Sequence, residues 1–222
     1  MPYCTDKELE QLSNARSRTY SLLARVFCSE PDEELWKSMQ AIVCEADRGT
    51  TTSGGYALLV PYLVSHPTAP LTDLAVDYAA TFLGIGPRRE GAFPYESVYT
   101  SKERLMKQEA LDEMTRILRD NRLSNALQHV VENDHVATEF AVLAHYSDRV
   151  LDCFAEGDRL QAWAYEAERA SFLRKHPMRW IPDFCLDVKR LAQTDFYRAF
   201  ADIASHFLHL DEYASCEDRL AS

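Results

Sequence analysis

His135 and Glu139 stand four residues apart, the spacing that puts two side chains on one helix face and could set two ligands on one metal ion. They belong to Glu132-Asn133-Asp134-His135-Val136-Ala137-Thr138-Glu139, which reads as a helix start capped by Asn133-Asp134. A second stretch, Phe93-Pro94-Tyr95-Glu96-Ser97-Val98-Tyr99, sets aromatic rings beside a carboxylate and a hydroxyl in a loop. Such groups can ligate a metal, support a nucleophile, or bind a ligand with an apolar stretch and a cationic end.

The metal reading lacks an HExxH signature and the paired ExxH units of di-iron bundles. Its plain alternative is a helix start in which Asp134 caps free amides and Glu139 forms a surface pair. Ser97 is not in a GxSxG turn, and local hydrogen bonding that fixes the loop explains it as well. Gly84-Ile85-Gly86-Pro87-Arg88-Arg89 lacks the GxxxxGK[ST] pattern that cradles phosphate. Binding remains, with the alternative that Tyr95 and Tyr99 are core anchors of a long loop. At a first helical turn His135 is expected to stay neutral and Asp134 to be an anion suited to a guanidinium.

The elements that must position these groups read as helices. Thr5-Asp6-Lys7-Glu8 is a capping box for a helix reaching the Cys28-Ser29 region, and Pro31 suits the first turn of a second helix ended by Gly49. Helices are expected over 56–65 and 71–82, then a long ordered loop over 84–99. Ser101 is expected to cap a helix over 102–120. Further helices are expected over 123–131, from Asn133-Asp134 to about 155, over 158–174, 183–192 and 195–210. Pro177 and Pro182 should interrupt helix between the third-last and second-last of these segments. No alternating strand pattern and no repeat is present, so the class is all-α, a globular multi-helix assembly in one domain over 1–222 with a possible hinge near 129–134.

The 222 residues are 46% hydrophobic and 27% charged, enough to bury a core. A formal charge of −11 repels phosphate backbones and argues against a nucleic-acid partner. The apolar run from Tyr56 to Val64 is broken by Pro61 and too short to span a membrane, and the N-terminal residues have no export-signal pattern, so a cytoplasmic protein is expected. Six cysteines without a CxxC pair predict neither a zinc site nor a disulfide framework.

On four motifs the chain resembles the TorD family of cytoplasmic molybdoenzyme chaperones, which includes the DmsD- and NarJ-type proteins. Asp77-Tyr78-Ala79-Ala80-Thr81-Phe82-Leu83-Gly84 resembles the family's aromatic helix end, and 93–99 its Pro-aromatic-x-Ser-Val-aromatic loop. Glu132-Asn133-Asp134-His135 with Glu139 is similar to its acidic Asp-His motif. Phe172-Leu173-Arg174-Lys175-His176-Pro177-Met178-Arg179-Trp180-Ile181-Pro182 is similar to its late Phe-Leu-x-x-His-x-x-x-Trp-x-Pro element. Thr81 stands where an apolar residue is commoner, and Phe93 replaces the first of two usual prolines.

The resemblance implies a TorD-like fold and no catalysis or cofactor. It implies a system-specific chaperone that binds the twin-arginine signal peptide and apo form of a molybdenum-cofactor reductase, delaying export until the cofactor is in place. Tyr78, Phe82, Pro94, Tyr95, Ser97, Asp134 and His135 would line or shape the peptide site, while His176 and Trp180 would stabilise the late turn. The family implies a monomer or a domain-swapped dimer. The alternatives left open are a helical metal-dependent enzyme using His135 and Glu139, and a helical protein–protein adaptor.

Overall fold

Short polar side chains and prolines decide where the helices begin. Thr5 and Glu8 form the expected capping box, the Thr5 amide donating to Glu8 at 2.7 Å and the Glu8 amide to Thr5 Oγ1 at 3.3 Å. They start α1 (Asp6–Cys28). The computed structural model describes residues 5–45, 54–86, 89–123 and 131–214. Among them are ten α-helices and no strand, the all-α class expected. The helix end at Gly49, most of the expected helix over 123–131 and residues 129–130 of the expected hinge lie outside the described residues.

The chain divides into two compact units. Unit 1 comprises residues 1–28, 95–181 and 208–222, and unit 2 residues 29–94 and 182–207.

In unit 1, α1 packs along α7 (Val136–Glu156), which packs on α8 (Arg159–Lys175). Phe140 of α7 lies 5.9 Å from the Tyr20 ring and 6.1 Å from Phe27. Leu9, Val150, Cys153 and Ala162 close the far end of this interface. Buried inside it is an ionic network. Arg169 forks onto Glu166 at 2.8 and 2.9 Å and reaches Asp211 at 2.7 Å; Arg16 reaches Asp211 at 2.6 Å and Glu166 at 3.1 Å. Tyr20 donates its hydroxyl to Asp211. Burial opposes charge on Arg169, but Asp211 and Glu166 outweigh it and hold the guanidinium more firmly protonated than usual.

Unit 2 contains α2 (Glu33–Glu45), α3 (Tyr56–Ser65) and α4 (Leu71–Phe82). It also holds the second part of α9 (Pro177–Leu191) and the first part of α10 (Asp195–Ala214). Trp36 is buried against Phe196, ring centroids 6.1 Å apart, and the Gln40 side-chain amide nitrogen Nε2 donates to the His66 carbonyl at 2.9 Å beyond the end of α3. Gly55 is sterically required, because a Cβ there would lie 2.2 Å from the Ala199 carbonyl oxygen. Gly84, at φ +65°, turns the chain out of α4 while the Ile85 amide closes back on the Ala79 carbonyl at 3.0 Å.

Several expected boundaries shift. Asp32, not Pro31, starts α2, its carboxylate accepting from the Leu35 amide at 2.8 Å. The loop over 84–99 is shorter than expected because Glu96–Thr100 form a short helix, α5. The expected helix over 102–120 begins only at α6 (Glu109–Asp120). Arg104 and Lys107 have φ of 51° and 61°, which a right-handed helix cannot contain. The chain leaves helix at His176, before Pro177, as expected, but Pro182 does not interrupt helix. Pro177 opens α9, where its missing amide costs nothing, and Pro182 removes one intrahelical bond from a helix whose Ile181, Phe184, Cys185 and Val188 are buried.

Candidate functional site

The two motifs that stand out in the sequence meet in unit 1 by exchanging backbone and side-chain bonds. Tyr95 pairs with His135 in an isolated antiparallel bridge, and the Glu96 amide donates to the Asp134 carbonyl at 2.9 Å. Asp134 Oδ2 accepts from the Ser97 amide at 3.1 Å and from the Ser97 hydroxyl at 2.5 Å. Asp134 therefore caps α5 rather than α7. The cap of α7 is His135, whose Nδ1 accepts from the Ala137 amide at 3.1 Å. The Tyr95 ring meets the imidazole edge-on, centroids 5.0 Å apart.

His135 is neutral, as expected, but burial rather than the helix dipole is the cause, depressing its pKa to about 3. Asp134 is only 1% exposed and spent on Ser97, so it holds the loop from within instead of presenting an anion to a guanidinium. Ser97 also accepts from the Gln108 amide at 3.2 Å, which ties the irregular 101–108 segment to the same point.

Behind this exchange lies a buried polar chain that sequence reading left unassembled. His176 Nδ1 donates to Glu96 at 2.9 Å, and Trp180 Nε1 donates to both Glu139 oxygens at 3.0 Å. Burial, then the neighbouring Glu96 carboxylate, raises Glu139 well above the usual carboxylate range, favouring the protonated form, which can donate to Glu96. The signal was in the sequence: Glu96 sits between motif residues, and Glu139, His176 and Trp180 each occur in a motif. What it lacked was their pairing. The expectation that His176 and Trp180 stabilise the late turn becomes a specific role as donors to two buried acids.

Glu139→Gln is expected to keep both contacts, the amide donating to Glu96 and accepting from Trp180. A carboxyl that binds its proton more tightly folded than unfolded loses stabilisation as pH rises above its unfolded pKa. Chemical denaturation between pH 5 and 8.5 should therefore show the variant gaining on the parent toward alkaline pH. An unchanged difference across that range would mean that Glu139 is ionised in the fold.

In this setting His135 and Glu139 do not act as a ligand pair: His135 spends Nδ1 on its own helix, and Glu139 faces Trp180 and Glu96. Among the described residues no group of three or more His, Cys, Asp and Glu side chains is placed to hold a metal ion.

The remaining expected site residues lie in unit 2. Tyr78, Phe82 and Pro94 are buried, with Phe82 4.9 Å from Tyr78, 5.3 Å from Tyr197 and 6.1 Å from Phe184 between ring centroids. Asp77 explains the polar Thr81 beside them. Its carboxylate accepts from Thr81 Oγ1 at 3.0 Å, the Gln193 amide at 2.9 Å, and the Thr194 amide and hydroxyl at 2.7 and 2.6 Å. Asp77→Ala would orphan these donors at the start of α10 and is expected to cost about 2–4 kcal/mol in urea unfolding; a loss below about 0.5 kcal/mol would show that water replaces the carboxylate. Phe93, the other departure, is 38% exposed and lies over Gly84 and Gly91.

Unit 1 also carries open cavities along one stripe of α6. One of about 410 Å³ adjoins α5 and is lined by Glu103, Glu109 and Glu113 with Lys102 and Arg179. A second of about 520 Å³, next along α6, is lined by Arg116, Ile117, Arg174, Lys175 and Arg179, with Glu113 and Asp120.

Fold and site together define an all-helical protein whose motif side chains shape loops and cavities and hold no assembled catalytic group among the described residues. The family described as nitrate reductase delta subunit matches residues 49–186, and the chain belongs to that family, the TorD and NarJ group of chaperones rather than enzymes. It is 26% identical over 217 residues to the chaperone protein TorD of Shewanella pealeana, covering 92% of this chain and 91% of that one. It is 24% identical to the TorD of Vibrio vulnificus strain YJ016 over 92% of this chain and 96% of that one. No described helix is long and apolar enough to cross a membrane.

Proposed function

We propose that the protein is a cytoplasmic, system-specific chaperone of a molybdenum-cofactor reductase, binding its twin-arginine signal peptide and apo form and delaying export until the cofactor is inserted. Family membership supports the chaperone role. The observation that carries peptide recognition is the acidic cavity beside α5, where Glu103, Glu109 and Glu113 make no ion pair among the described residues. Guanidinium groups of a leader would find carboxylates there, since Asp134 is spent. Tyr95, Ser97, Asp134 and His135 do not line that cavity but hold α5 and Gln108, which border it, from behind. Tyr78, Phe82 and Pro94 support unit 2 from its interior, where they are buried.

Calorimetric titration with synthetic leaders of candidate client reductases tests this. One leader should bind at micromolar affinity or better, and its double Arg→Ala counterpart at least ~10-fold more weakly, as for loss of charge-assisted pairs. Glu103→Gln with Glu109→Gln should weaken the leader similarly. Asp134→Ala should also weaken it while helical content, read by circular dichroism, is kept. Absence of binding to every leader by folded protein would refute peptide recognition and favour the adaptor reading.

A further inference from the structure

The cavity at the α8–α9 junction is basic on an acidic protein. Arg116, Arg174, Lys175 and Arg179 line it against two carboxylates, whereas the whole chain carries a formal charge of −11. Arg116, Lys175 and Arg179 make no ion pair among the described residues. Such cations repel one another unless an anion joins them. The cavity continues into a third, of about 500 Å³, which shares Ile117, Lys175 and His176 with it and adds Tyr146 and Phe172. The cationic patch thus borders an aromatic and aliphatic wall.

We infer that this groove is a second peptide site, for an acidic segment of a protein partner in which carboxylates flank an apolar residue. Charge complementarity sets the sign. Carboxylates engage the exposed Arg116, Lys175 and Arg179, and the apolar side chain rests on Ile117, Tyr146 and Phe172. Length selects a peptide over a small oxyanion. The basic cavity follows one face of α6 through Glu113, Arg116, Ile117 and Asp120 and continues past Lys175 to Tyr146 and Phe172. The stretch of α6 from Glu113 to Asp120 spans roughly 12 Å, the reach of about three or four extended residues. The high overall negative charge excludes long polyanions and leaves a short acidic segment as the ligand the local cations can hold.

This site shares Glu113 and Arg179 with the lining of the acidic cavity of the proposed leader site but differs from it in ligand and in Arg116 and Lys175, so each can fail alone. The full chain is titrated calorimetrically with an N-acetylated, amidated decapeptide alternating glutamate with leucine and phenylalanine, and with its glutamine counterpart. The expected result is binding of the glutamate peptide in the micromolar to 100 µM range, lost at 0.5 M salt, with the glutamine peptide at least ~10-fold weaker. Arg116→Gln with Lys175→Gln should weaken it at least ~10-fold, leave the melting temperature unchanged because both side chains are exposed, and leave leader affinity unchanged. Glu113→Gln with Asp120→Asn should tighten it. Equal affinity for the two peptides, no effect of the Arg116 and Lys175 changes, or full displacement by inorganic phosphate at equal concentration would overturn the assignment.

Discussion

Arg169→Ala lowers the unfolding free energy by about 3–5 kcal/mol, the range for removing one partner from a buried ionic cluster. Glu166 and Asp211 are then left sharing Arg16, which lies in the same buried set and has one guanidinium nitrogen, Nη2, without a hydrogen-bond partner. Arg16 cannot replace the fork onto Glu166 and the bond to Asp211 that Arg169 supplies. Urea unfolding followed by far-ultraviolet circular dichroism should show a lower midpoint with an unchanged slope. A second variant separates charge from volume: with Arg169→Met, adding Glu166→Gln should recover part of the loss, because the orphaned carboxylate is removed. A loss below about 1 kcal/mol for Arg169→Ala would mean that water enters and solvates the acids.

Acidification supplies the second large effect. An unfolded histidine binds a proton below about pH 6.5, whereas His135 in the fold does so only near pH 3. Between those values the unfolded state holds more protons, so stability rises with pH across the window and is lost as pH falls. At about 1.36 kcal/mol per unit, acidification to pH 4 removes about 3 kcal/mol through this residue. His135→Asn keeps an acceptor for the Ala137 amide at the helix cap and has nothing to titrate, so its denaturation midpoint should fall less than the parent's between pH 6.5 and 4. Parallel profiles would show that the imidazole is solvated in the fold. Glu139 works in the opposite direction, so the pH profiles of the two variants separate the contributions.

The effect at His135 bears on function because that residue, with Asp134, holds α5 beside the proposed leader cavity. The cap of α7 that sequence reading gave to Asn133-Asp134 falls to His135, while Asp134 caps the short α5 across 37 positions of sequence. Both are buried, so substitutions there alter the Tyr95–Tyr99 segment from within.

The amino-acid sequence alone determined the all-α class, the start of α1, the bounds of α3 and α4, and the two motifs that turn out to be joined. Those features depend on local physics: helical periodicity, capping side chains, glycine's access to positive φ, and proline at a first turn. It also determined the family, because four motifs keep their order along the chain. Tertiary structure alone decided which donor meets which acid. Glu96, Glu139, His176 and Trp180 are scattered along the chain, and their pairing depends on packing within unit 1. The same holds for the basic groove, whose cations come from α6 and the α8–α9 junction and become one patch only when those helices pack. Local rules misjudged Pro182 and the 101–108 segment for a related reason. Burial of the apolar face of α9 outweighed one lost hydrogen bond, and two left-handed residues delayed α6 while Ser97 anchored the segment at Gln108.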